Sequence, residues 1–242
     1  MQGNVCIVTH VTAPVGQAGA DALAAGGAKV VVSDPIFAKE GDRLSYAKAH
    51  PQLEVTATFD PAKLVEEVVA KHGRVDAVIS SASLQPSPAQ IEKTDVEDLR
   101  HALNVLAVEP FQLAQAAVPH MKKQKSGKIV FVTSDAPRYG LANHTAYCTA
   151  QGTANAFMVA LAQEVADSNI QVNAIGLGDT VAPTYFPKEM IGESTAENLL
   201  VEKGPAMRKA KPEDAGALVA FLASAGSDFI VGEVIPFAGG RI

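Results

Sequence analysis

Short runs of valine, isoleucine and alanine recur along the chain without polar alternation. Between them lie longer stretches in which apolar residues return every three or four positions. The first pattern fits strands buried on both faces, and the second fits helices packed by one side. Strands are predicted over 5–9, 30–33, 55–58, 77–80, 129–133, 172–175 and 234–237. Helices are predicted over 16–25, 61–71, 96–121, 145–168 and 212–223. Asp60-Pro61 and Lys211-Pro212 each place a proline in a first helical turn, and Asp95 is placed to cap the long central helix.

Strand and helix alternate to the end, which predicts an α/β protein with a parallel sheet. The length suits a single Rossmann-type, doubly wound domain over 1–242, with about seven strands and helices on both faces. Segment 176–208 carries no periodic pattern and follows the sixth strand, where a substrate lid is expected. Ligands of open α/β sheets bind beyond the carboxyl ends of the strands, so the residues just after each strand carry the chemistry.

Composition narrows the classes. The chain is 48% hydrophobic and 19% charged, with net charge -6, which argues against a nucleic-acid or anionic-membrane surface. Lys122, Lys123, Lys125 and Lys128 read as a solvated helix end leading into a strand. Two cysteines, Cys6 and Cys148, suit no disulfide framework, and the six histidines show no ligand spacing, so no metal is expected. Met1 runs almost directly into an apolar strand with no leader pattern, and no apolar run approaches the ~18 residues of a membrane span. A cytoplasmic location is expected.

After the first strand come Thr9, His10, Val11, Thr12, Ala13, Pro14, Val15 and Gly16. A pyrophosphate loop uses glycines so that bare backbone reaches the phosphates, whose charge then sits on a helix N-terminus. Thr9 and Gly16 suit such a loop; Gly16 also suits plain helix–sheet packing. His10 adds bulk, and Pro14 has no N–H to donate. Asp34 closes the second strand, where a dinucleotide domain places a ribose acid and where a turn acid would also stand. Asp60 reads as a helix cap. Further on, Ser134 follows the fifth strand, Tyr147 lies thirteen positions later, and Gln151 sits one helical turn beyond it on the same face.

These positions resemble the short-chain dehydrogenase/reductase family, whose loop reads Thr-Gly, three residues, Gly-Ile-Gly. Thr9 and Gly16 match it, while His10 and Pro14 stand at its first two glycine positions. Asp34 and Asp60 match its acids on the ribose and adenine side, and its Asn-Asn-Ala-Gly appears as Ser80-Ser81-Ala82-Ser83. Asn104, Ser134 and Tyr147 match its catalytic set, but Gln151 replaces its lysine. The resemblance implies that this lysine lowers the tyrosine pKa. Bringing a phenol from ~10 to near neutrality takes roughly 4 kcal/mol, which a neutral amide does not supply. Arg138 is the cation near in sequence.

Other segments resemble halohydrin dehalogenases, a cofactor-free branch of the same fold with a Ser–Tyr–Arg set. Ala49 to Leu53, Met121 to Gly127 and Pro183 to Pro187 carry that likeness, as do Val231-Gly232 and Ala238-Gly239-Gly240. That family has an aromatic residue at Pro14, an arginine at Gln151, and a halide cradle where Gly176 to Asp179 stand. Loss of the glycine loop together with the cation is similar in kind to the pseudoenzyme subunit of hydroxyphenylmethylsuccinyl-CoA dehydrogenase. The pattern implies an impaired or non-catalytic subunit supporting an active alcohol dehydrogenase, on a CoA-thioester hydroxy acid by that likeness. NAD would sit only in the partner, a paralogue or this chain itself in a tetramer joined through 96–121, 145–168 and 229–237. The alternatives are a cofactor-independent, dehalogenase-like enzyme and an NAD-dependent alcohol dehydrogenase or ketoreductase.

Overall fold

A computed structural model describes residues 1–85, 87–178, 205–206, 208 and 210–240. Seven parallel strands form one sheet: β1 (Val5–Thr9), β2 (Lys29–Ser33), β3 (Glu54–Val55), β4 (Ala77–Ser80), β5 (Gly127–Ser134), β6 (Ile170–Leu177) and β7 (Val234–Phe237). Their order across the sheet is β3-β2-β1-β4-β5-β6-β7. The chain works outward from β1 to one edge and then crosses back to β4, so a crevice opens beyond the carboxyl ends of β1 and β4. Register aligns Thr9 with Ser33 on one side and Ser80 on the other, and Ser80 with Phe131. Ser134 therefore stands three residues further along β5 than that line.

Helices cover both faces, as parallel strands buried on both sides require. On one face α1 (Pro14–Ala25) packs against α8 (Pro212–Leu222), with Leu23, Val219 and Leu222 meeting Val8 and Val32. On the other lie α3 (Pro61–His72), α5 (Glu109–Gln124) and α7 (Thr145–Val165), which bury Leu64, Leu113, Met121 and Met158 on Ile7 and Ile129. The expected Rossmann-type architecture is present.

The differences are local and have physical causes. The strand expected over 55–58 shrinks to Glu54–Val55, because it is the sheet edge and bonds only Val31 and Val32. The helix expected over 96–121 is broken into α4 (Val96–Leu103) and α5 by a π-turn at Asn104–Val108. A helix α2 (Glu40–Ala49), not expected from the sequence, buries no residue and so leaves no apolar stripe to read. Lys128 leaves the solvated cluster expected of it. It lies buried in β5, with its Nζ 2.6 Å from Asp228 Oδ1 and 3.4 Å from Ser227 Oγ. A short helix, α6 (Ala136–Tyr139), joins β5 to α7. Most of the expected lid over 176–208, including Asp179 and Tyr185, lies outside the described residues.

Candidate functional site

The loop after β1 begins with His10 at φ +52°, a left-handed conformation that glycine adopts freely and other residues seldom do. The backbone here takes a conformation suited to glycine while carrying an imidazole. That ring meets Phe59 edge-on at 5.1 Å and 87° between planes. Its Nε2 lies 3.0 Å from Glu109 Oε2, and the other Glu109 oxygen accepts from Asn104 Nδ2 at 3.2 Å. The π-turn widens the helix between Asn104 and Glu109 and brings both side chains to this one cluster.

The rest of the loop is tied down by Asp34. One oxygen of Asp34 accepts from the Thr12 N–H at 3.0 Å and its hydroxyl at 2.7 Å, and the other accepts from Ile36 N at 3.2 Å. Asp34 is buried, and its carboxylate completes a turn and a loop. Asp60 caps α3 by accepting from Lys63 N at 2.9 Å. Pro14 opens α1, and Ala13 before it supplies no side-chain cap. Gly16 is required by packing: a Cβ there would stand 2.6 Å from the His10 carbonyl oxygen. Thr9 ends β1 buried, its carbonyl accepting from Ser81 N at 3.3 Å.

At the other end of the crevice Ser134 closes β5. Its Oγ accepts from Ala136 N at 3.1 Å and lies 3.4 Å from the Leu177 carbonyl. Asn155 of α7 donates to the Ser134 carbonyl at 3.4 Å, joining the helix to the strand. Tyr147 lies half-buried on the cluster formed by Ala102, Leu106 and Ala150. Gln151 is buried, and its amide donates to the Tyr147 hydroxyl at 3.4 Å. Arg138 forms a forked pair with buried Asp135, at 2.9 and 3.0 Å, and that carboxylate holds the guanidinium pKa above its ordinary value.

The structure thus joins Tyr147 to Gln151 and Asn104 to Glu109. Glu109, Phe59, Thr12 and Asn155 belong to the site without having been expected. His10 and Glu109 are 99 positions apart, and no sequence spacing announces such a pair. No group of three or more metal-ligating side chains occurs among the described residues. Nor, among those residues, is any helix long and apolar enough to cross a membrane.

Residues 11–241 match the family model described as enoyl-(acyl carrier protein) reductase. The chain is 31% identical to the 3-oxoacyl-[acyl-carrier-protein] reductase of Thermotoga maritima, over 100% of this chain and 99% of that protein. Among solved structures it is similar to one described as a dehalogenation enzyme, with 35% identity, a TM-score of 0.92 and coverage of 99% and 98% of the two chains. A halohydrin dehalogenase bound to ethyl (2S)-oxiran-2-ylacetate follows at 31% identity and a TM-score of 0.91, covering 98% of this chain and 96% of that one. With such likeness running from end to end, the chain belongs to the short-chain dehydrogenase/reductase superfamily.

Proposed function

We propose that this chain works without a dinucleotide of its own, and that it is an impaired or non-catalytic subunit supporting an active paralogue in an oxidoreductase assembly. The observation that carries the reading is His10, whose side chain occupies the place of a phosphate-loop glycine and is anchored to Glu109. A dinucleotide fits these residues poorly. Pro14 withholds an N–H at the helix start, His10 fills space the pyrophosphate needs, and Asp34 spends both oxygens on Thr12 and Ile36. Remnants of the binding set persist in Thr9, Gly16, Asp34 and Asp60, each with a structural duty of its own.

Catalysis by Ser134 and Tyr147 is weakened by the same logic. A cation beside a phenol favours the phenolate; the Gln151 amide offers only a neutral hydrogen bond. Arg138, the nearby cation, is met by the Asp135 carboxylate. The retained shape serves assembly: symmetric contacts let a paralogue stand in for one copy. In such an assembly NAD sits in the partner, and a CoA-thioester hydroxy acid is a substrate class the resemblance favours.

Titration with NAD and NADH tests the first half, and no binding below millimolar concentration is expected. Micromolar affinity overturns it. Tag-free purification from the native source tests the second half. A stoichiometric second chain with an intact glycine loop and a Tyr–Lys pair is expected, and a pure homo-oligomer overturns the subunit reading.

A second reading rests on the likeness to the two dehalogenase structures. In it Ser134 and Tyr147 act on halohydrins or epoxides without a cofactor. Halide release or epoxide opening by the isolated chain, lost in Tyr147→Phe, supports that reading over the first.

A further inference from the structure

The cluster at His10 has a chemical capacity that neither reading uses. Three observations meet there. The residue is held in a sparsely populated backbone region, which persists only where the surroundings demand it, often at functional sites. Its Nε2 is engaged by Glu109, and Glu109 is itself engaged by Asn104. The other ring nitrogen, Nδ1, makes no hydrogen bond among the described residues, and the side chain is 14% exposed.

An amide orienting a carboxylate, and a carboxylate orienting an imidazole, fix both the ring's tautomer and its direction. With Glu109 accepting from Nε2–H, the lone pair stands on Nδ1, beyond the carboxyl end of β1 where ligands of this fold gather. Edge-on contact with Phe59 limits ring rotation. A nucleophile or base positioned by a third group is the recurring design of proton-transfer sites.

We infer that His10 is an oriented base in the crevice, acting independently of Ser134 and Tyr147. Nδ1 takes the proton from a water or a ligand hydroxyl, and the resulting imidazolium is met by the Glu109 carboxylate. The proton returns to the product or to solvent, so no oxidant or cofactor enters. The ligand class this chemistry suits is a small hydroxyl-bearing or ester-bearing molecule, whose groups an imidazole base or nucleophile acts on.

The same lone pair is read by p-nitrophenyl acetate. Nδ1 attacks the ester carbonyl carbon, and p-nitrophenolate leaves with the bonding electron pair. Water then hydrolyses the acyl-imidazole to acetate and restores the ring. The full chain is compared with His10→Gln, Glu109→Gln and His101→Gln, the last an exposed histidine on α4. Circular dichroism and thermal melts confirm that each variant is folded, and quenched samples are mapped for acetyl-histidine by mass spectrometry. A tenfold or greater loss in His10→Gln, a loss of at least threefold in Glu109→Gln, no change in His101→Gln, and acetyl on His10 are expected. The inference is overturned if His10→Gln stays within twofold of the parent, or if Glu109→Gln leaves the rate untouched. The Glu109 variant keeps the His10 ring in place of the loop glycine, so it decides the matter even if His10→Gln does not fold.

Discussion

The Gln151 amide donates to the Tyr147 hydroxyl across one turn of α7, at 3.4 Å. The pair offers the phenol a neutral dipole and no charge.

Gln151→Lys restores a cation beside Tyr147, yet is expected to yield no NAD-dependent alcohol oxidation or ketone reduction. On the proposed reading, His10 and Pro14 still obstruct the pyrophosphate. Absorbance at the NADH band under saturating cofactor is the measurement. Clear turnover by this single variant would contradict the account of the loop.

Gly16→Ala probes whether that glycine serves packing. Its Cβ would fall 2.6 Å from the His10 carbonyl oxygen and 3.1 Å from Ser81 Cβ, against backbone that has little room to retreat. Overpacking of this kind costs about 1–3 kcal/mol. Urea unfolding should show a midpoint shift of that size with an unchanged slope. An alanine variant as stable as the parent would argue that the loop yields freely.

The two thiols should behave differently. Cys6 is buried in β1, where desolvation first and the nearby Asp76 carboxylate second push its pKa up to about 12. Thiolate is the reactive form, so Cys6 stays inert in the folded protein. Cys148 is partly exposed and lines an open groove with Pro137, Leu141 and Thr149. A disulfide reagent such as DTNB is expected to modify one equivalent, at Cys148, until denaturant frees the second. Rapid modification of Cys6 in native protein would show that β1 opens.

Glu54 supplies a pH test. Burial raises its carboxyl pKa, but hydrogen bonds and charge from Lys71 at 2.8 Å and His72 at 3.2 Å outweigh that and leave it below the ordinary carboxylate value. A carboxyl lowered by folding contributes stability above its unfolded value of ~4.3, and loses that contribution as pH falls through the lower folded value. The urea midpoint difference between parent and Glu54→Gln should therefore be present at pH 6 and shrink toward pH 3. A difference that is constant over that range would remove Glu54 from the acid transition.

Several elements are legible in the sequence alone. The apolar runs at β1 and β4 coincide with the strands found, because strands buried on both faces must be almost wholly apolar; the run at β7 coincides as well, at the partly exposed sheet edge. Prolines at 61 and 212 mark helix starts, since a first-turn N–H is unpaired anyway. The site is legible in part. Spacing points to Ser134 and Tyr147, a helix start points to Asp60 as a cap, and the contact of Asn104 with Glu109 is visible only in the structure.

Residue type and local periodicity are enough to specify the doubly wound sheet, the non-glycine residues His10 and Pro14 after the first strand, and the neutral residue one turn beyond Tyr147. Neighbouring positions settle such matters between them. What His10 contacts is a question of packing. Glu109 meets His10 at the end of the π-turn, and Asp34 serves Thr12 because β1 and β2 are neighbours in register. Contacts between residues 22 and 99 positions apart follow from how elements pack, and packing is fixed by the whole chain rather than by any segment of it.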